Sequence, residues 1–259
     1  MRNIHGEEIR VGAQAIPWGE TIREQMPEIL AFLAETGYRG AEIGVRHFDL
    51  NRPGYYRQLF AQHGVVPLAA HTGGTFWNKE QADAEMGNIE AGVRFAADIG
   101  CAFFVLSGNP GETAETMAAS AESYTRIGAV CRDAGVQFAY HNHNWEFENG
   151  RALLKVLLGH SDAELVKLVP DIAWIHRAGL DPAKELHALG ERIAYVHLKD
   201  TAGEAFCELA RGEVALDAVI DTLPKLDAAW VVVEQDTTGT TPEESLRISA
   251  QYLSGRGVL

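Results

Sequence analysis

Short apolar runs alternate with longer helical patterns along this chain, and they do so eight times. The runs are VGAQAI (11–16), GAEIGV (40–45), VVPLAAH (65–71), CAFFVLSG (101–108), VQFAYHNH (136–143), LVKLVPDIA (165–173), IAYVHLKD (193–200) and WVVVEQD (230–236). Each is rich in Val, Ile, Leu, Phe or Ala and has the length of a strand buried on both faces. Between them, stretches such as EQMPEILAFLAET and AEMGNIEAGVRFAADI space apolar residues three and four apart, which predicts amphipathic helices. Gly37, Gly64, Gly100, Gly135 and Gly159 stand where such helices should end, and glycine suits a left-handed cap. In the last unit Thr241 is placed to cap a helix, with Pro242 in its first turn.

Eight β/α units in 259 residues predict an α/β protein: a single (β/α)8 TIM barrel over residues 1–259, with its active site at the C-terminal ends of the strands. A doubly wound sheet would carry a glycine-rich fingerprint after its first strand, and QAIPWGE is not one. No Pro-, Gly- or Ser-rich linker divides the chain. Lys and Arg number 22 against 36 Asp and Glu, a net charge of −14. That balance disfavours nucleic acid, whose phosphates need clustered cations. It also serves simply to keep a cytosolic protein soluble. No apolar stretch approaches the length of a membrane span, and MRNIHGEEIRVG has no signal-peptide core, so a cytoplasmic location is expected. Cys101, Cys131 and Cys207 are odd in number and far apart, so they suggest neither a disulfide framework nor a zinc ribbon.

Nearly every strand ends in an ionisable or amide side chain: Gln14, Glu42, His71, Ser107 with Asn109, His141 to Glu146, Asp171, His197 with Lys199 and Asp200, and Glu234 with Asp236. A purely structural barrel has no need of this. Taken singly, each has an ordinary role. A histidine can be a loop hydrogen-bonder, Asp171 a helix cap, Glu234 an ion-pair partner. Together, acidic groups gathered in one barrel mouth repel unless a cation or shared protons compensate them. A divalent metal with carboxylate and imidazole ligands meets that need, as does a metal-free hydrogen-bond network.

These residues carry a resemblance. The stretches YHNHNWEF, LVPDIAWIHRAG, YVHLKD and WVVVEQD, with GAEIGV more weakly, resemble the xylose isomerase-like TIM barrels, which include sugar isomerases, ketose epimerases and inosose dehydratase. The resemblance covers essentially the whole chain. It implies one divalent ion (Mn, Mg, Co or Zn) held by Asp171, His197, Glu234 and a carboxylate near the fifth strand. Many epimerases read LEN or LEP there, and the matching position is His141. A subgroup carries HNHxxEF, whose nearest carboxylate is Glu146, so Glu146 is expected as the fourth ligand, with His141 and His143 as substitutes.

The chemistry implied is proton abstraction alpha to a carbonyl, through an enediolate, on a keto-sugar or related polyol. Glu146, Glu234, His141 and His143 are rivals for the base. Lys199, by likeness to HLKD of inosose dehydratase, would bind a substrate hydroxyl or a developing oxyanion. Trp18, Glu42, His71, Trp145, His176 and Arg211 are expected to face the substrate. Isomerase or epimerase is the expected class, with a lyase (dehydratase) of an inosose or keto-sugar as the alternative. A non-catalytic sugar-binding barrel and an endonuclease-like barrel rank lower, the latter because it needs three zinc ions and a basic surface. The partner expected is a small carbohydrate, with neither nucleic acid nor membrane, and assembly into a homo-oligomer is left open.

Overall fold

In the computed structural model, which describes residues 1–259, all eight apolar runs become parallel strands of one sheet. These are β1 (Arg10–Gln14), β2 (Gly40–Gly44), β3 (Val66–Gly73), β4 (Phe103–Ser107), β5 (Gln137–His141), β6 (Lys167–Val169), β7 (Val196–Leu198) and β10 (Trp230–Val233). Their order is β6-β5-β4-β3-β2-β1-β10-β7, so the first strand pairs with the last, Arg10 with Trp230 through Ala13 with Val233. Between β6 and β7 the ladder thins to two isolated bridges, Leu168 with Ile193 and Asp171 with His197. The sheet is thus a nearly closed barrel with one thin seam. A two-stranded hairpin, β8 (Asp200–Ala202) and β9 (Ala205–Cys207), follows β7.

The connections are helical: α1 (Met26–Thr36), α2 (Pro53–His63), α3 (Lys79–Ile99), α4 (Ala114–Asp133), α5 (Glu148–His160), α6 (Ile172–Arg177), α7 (Pro182–Leu189), α8 (Leu216–Ile220) and α9 (Pro242–Gly255). Gly37, Gly64 and Gly100 close α1, α2 and α3 in the left-handed conformation. Gly135 is left-handed one position past the cap of α4. Gly159 departs from expectation, because α5 runs through it to His160. Thr241 accepts the Glu244 N–H at 3.2 Å and opens α9.

Two apolar layers hold the barrel. The larger, of 65 buried residues, lies between strands and helices. The smaller fills the barrel interior with Leu68, Ala69, Val105, Ala139, Val169, Tyr195, Trp230 and Val232. The Trp230 ring needs room, which Gly40 provides: a Cβ there would lie 2.9 Å from it. No helix is long and apolar enough to cross a membrane.

Candidate active site

Side chains alternate along a strand, so residues two apart share a face. The interior layer fixes that phase. Two residues beyond Ala69, Val105, Ala139, Val169, Tyr195 and Val232 stand His71, Ser107, His141, Asp171, His197 and Glu234. An apolar plug is therefore followed, toward the C-terminal ends, by a polar ring. Above it opens a cavity of about 450 Å³, lined among others by His71, Ser107, His141, His143, Lys199 and Glu234.

His141, Asp171, His197 and Glu234 are buried, and each offers one ligand atom within 4.8 Å of the others. His197 Nδ1 lies 2.7 Å from Glu234 Oε2, and His141 Nε2 lies 3.3 Å from the same oxygen and 3.6 Å from Asp171 Oδ2. Asp171 divides its carboxylate between two tasks. Oδ1 accepts the Ala173 and Trp174 N–H groups and caps α6, while Oδ2 is buried with no hydrogen-bond partner. Its own N–H donates to Asn142 Oδ1 at 3.0 Å, which ties the ends of β5 and β6 together. Two imidazoles and two carboxylates, one with an unsatisfied oxygen aimed inward, fit a divalent cation of mixed nitrogen and oxygen preference.

The chain supplies a buried cation of its own beside this group. Lys199 is wholly buried, with Nζ 2.7 Å from Asp236 Oδ2, 3.4 Å from Asp171 Oδ2 and 3.6 Å from Glu234 Oε2. The rings of Phe206 and Trp174 lie 4.4 and 5.1 Å from Nζ, so β9 supplies the lid of a half-aromatic, half-acidic cage. Burial disfavours the ammonium, but Asp171, Glu234 and Asp236 together keep it charged well beyond the ordinary lysine range. The Glu234 carboxyl is pushed up by burial, yet Lys199, His197 and His141 hold it far below the carboxylate range. Burial and the charge of Glu234 push Asp236 up, and Lys199 reverses this only in part. Burial would lower the imidazoles of both His141 and His197. Instead Glu234 and Asp171 bring His141 up to about 9, and Glu42 and Glu234 bring His197 up to about 10. His143 follows its burial and the neighbouring His141 charge down to about 3, so it is neutral.

The ring does not include Glu146, which was expected as the fourth ligand and as a base. It is buried on the far side of β5, where Oε1 accepts the Tyr140 hydroxyl at 2.5 Å and Oε2 accepts the His143 N–H at 2.8 Å. Tyr140 precedes His141 and so points the opposite way, toward α4, taking the carboxylate with it. His141 stands in its place. Of the residues expected to face substrate, His71 lines the cavity. Glu42 is wholly buried beneath it, engaged by His71, Tyr195 and His197. Trp18 packs on Phe32 and donates Nε1–H to Glu243 at 2.9 Å. Trp145 stacks on His143 at 4.2 Å, outside the cavity wall. His176 points to Glu213 at 3.8 Å, and Arg211 is exposed on the loop after β9. None of these last four lines the cavity. Sequence reasoning gave no role to Arg46 and His47, which line it from the turn after β2. Tyr195 was also missed, although it shares the face of His197 and Lys199 by simple alternation.

Comparison with known proteins agrees with the barrel fold. A family model described as xylose isomerase-like TIM barrel matches residues 26–255. An inosose dehydratase of Geobacillus kaustophilus (strain HTA426) is 24% identical over 293 residues, covering 94% of this chain and 93% of its own. A sugar phosphate isomerase/epimerase from Parabacteroides distasonis ATCC 8503 superposes with a TM-score of 0.83 at 20% identity, over 96% of this chain and 94% of the other. The IOLI protein with a bound zinc atom superposes with a TM-score of 0.76 at 16% identity, over 95% and 97% of the two chains.

Proposed function

From the premise that the chain belongs to the xylose isomerase-like TIM barrel family, matched over residues 26–255, we propose a metal-dependent isomerase or epimerase acting on a keto-sugar or related polyol. The observation that carries this reading is the buried His141, Asp171, His197 and Glu234 group, with its unsatisfied Asp171 oxygen, opening into a sugar-sized cavity. A divalent ion held by these four residues would act as a Lewis acid on a substrate carbonyl and lower the barrier to losing the adjacent proton.

The chain's own groups do the rest. The Lys199 ammonium, fixed by three carboxylates, sits where negative charge developing on a substrate oxygen gains most from a preorganised cation. Glu234 and Asp236 project from one face of the same strand end and line the cavity. Glu234 is held ionised, whereas Asp236 has its affinity for a proton raised. Two carboxyls with divergent proton affinities suit a proton carried off and returned. Neutral His143 also lines the cavity and offers a hydrogen bond to a substrate hydroxyl. Glu146 takes no part in this assignment. Soluble keto-sugars are the proposed substrates, and the whole of residues 1–259 is proposed as one barrel domain.

A second reading is dehydration, in which the same proton abstraction is followed by loss of a β-hydroxyl. It is favoured by the relative named inosose dehydratase, similar over 94% of this chain. One experiment serves both: incubate the metal-loaded protein with keto-sugars and inososes in deuterated water and follow the substrate by NMR. Deuterium entering the carbon next to the carbonyl is expected, with an epimer or isomer as product. An enone or dicarbonyl product selects the lyase reading. No exchange with any keto-sugar or inosose overturns both.

A further inference from the structure

Glu42 stands in the middle of β2, wholly buried, and does not line the cavity. Three donors converge on its carboxylate: His71 Nδ1 at 2.6 Å on Oε1, and His197 Nε2 at 2.9 Å with the Tyr195 hydroxyl on Oε2. The first of these begins a chain. His71 Nε2 lies 2.7 Å from Ser107 Oγ, and Ser107 Oγ lies 3.3 Å from His141 Nδ1. From β2 the path thus crosses β3 and β4 and ends on a ligand histidine of β5. The direct bond reaches the other ligand histidine, on β7. Both arms meet again at Glu234 Oε2, 3.3 Å from His141 Nε2 and 2.7 Å from His197 Nδ1.

In the neutral form of both imidazoles that a bound ion would require, one proton arrangement gives every donor in this loop a single acceptor. A carboxylate only accepts, so His71 carries its proton on Nδ1 and His197 on Nε2. His71 Nε2 is then an acceptor and takes the Ser107 hydroxyl proton. Ser107 Oγ, having donated, accepts from His141 Nδ1–H. The result leaves a lone pair on His141 Nε2 and on His197 Nδ1, the two nitrogens that face Asp171 and Glu234. Ser107, His71 and Glu42 stand in the order of a serine-nucleophile triad. Here His141 donates to the hydroxyl from its other side and makes it a link rather than an end.

We propose that Glu42 is a positioning residue that sets the tautomer of both ligand imidazoles at once, of His197 directly and of His141 through His71 and Ser107. The proposal rests on the metal reading above and assigns Glu42, expected from sequence to face substrate, to the support of the metal ligands. A glutamine at this position presents an NH2 group either to His71 or to His197 and Tyr195 together, so one arm must reverse its protons and one imidazole loses its lone pair toward the ion. Groups that orient metal ligands in this way are worth about 10–100-fold in affinity.

The test is titration of the full chain with Co2+, read by the visible absorption of the ligated ion. Wild type is expected to bind about one equivalent. Glu42→Gln should weaken binding about 10–100-fold and alter the absorption band. Ser107→Ala cuts only the arm to His141 and should weaken binding less, while Ser107→Thr, which keeps the hydroxyl, should restore it. If Glu42→Gln does not fold, the Ser107 pair decides alone. Variants that melt earlier but bind Co2+ with wild-type affinity and spectrum overturn the proposal and leave the metal reading standing. A wild-type chain that binds no Co2+ overturns the metal reading and this proposal with it.

Discussion

Lys199 Nζ lies 2.7 Å from Asp236 and within 3.6 Å of Asp171 and Glu234, so three carboxylates lean on one buried ammonium. Removing a single partner from a buried charge cluster costs about 3–5 kcal/mol, because the charges left behind stay desolvated. Lys199→Met should therefore lose about that much stability in the presence of a chelator, and a divalent ion should restore most of it in thermal melts. Unchanged melting without metal would show that Lys199 compensates nothing. His141 and His197 make a pH prediction. Without metal, their carboxylate neighbours raise His141 to about 9 and His197 to about 10, above the ordinary histidine value. A group whose pKa is raised by folding contributes stability that is complete below the unfolded value of about 6.5 and is lost as pH climbs through the folded one. Metal-free protein should thus lose stability from about pH 6.5 to about 10. An ion must displace those protons, so its apparent affinity should rise across the same window. Calorimetry in buffers of different ionisation enthalpy counts the protons released. Asp171, His197 and Glu234 could be picked out in the sequence because each closes a strand and alternation fixes its face. Glu42 could be placed on the second strand, but that it is buried beneath the cavity depends on Tyr195 and His197, three strands away around the barrel.

β5 and its exit loop are where sequence reading and structure part. His141 and Tyr140 occupy opposite faces, and the loop carboxylate Glu146 follows Tyr140 rather than His141. Which way a loop side chain turns depends on donors brought from elsewhere, and period-two reading stops where the strand stops. The turn behind Glu146 is tight. Asn149, Gly150 and Arg151 are consecutively left-handed, with φ of 50°, 70° and 64°, before α5 runs regularly. Glu146 O accepts the Leu154 N–H at 3.0 Å across this turn, so the residue anchors the loop by backbone and side chain alike. Glu146→Gln is expected to keep the full metal complement, whereas Asp171→Ala should lose it. Metal analysis after gel filtration checks both, and loss of metal from Glu146→Gln would return that residue to the ligand set. Tyr140→Phe leaves a buried carboxylate oxygen without its donor and should cost about 1–3 kcal/mol in chemical denaturation, with metal content unchanged.

Over the whole molecule, the eight-unit rhythm was fully legible, since each run is too short for a helix, too apolar for a surface strand and spaced for a parallel crossover. The hairpin of β8 and β9 was not, because Asp200 organises it through bonds to the Thr201, Gly212 and Val214 N–H groups that no local pattern announces. An ion bound only by the folded state should raise the melting temperature with its concentration. A hundredfold excess over the dissociation constant is worth about 2.7 kcal/mol. At about 2–4 °C per kcal/mol for a chain of this size, that is a shift of about 5–10 °C. The thin seam would give a bound ion a mechanical part as well. Asp171 and His197 stand on opposite sides of it, and the backbone crosses there through Ala194 N to Leu168 O at 2.8 Å and His197 N to Pro170 O at 3.0 Å. An ion gripped from both sides would rivet the seam where the strand ladder is thinnest, so part of its binding free energy would go into closing the cylinder. Hydrogen exchange at the Ala194 and His197 amides should slow on metal addition more than at the β1–β10 junction, where four residue pairs already hold the wall shut.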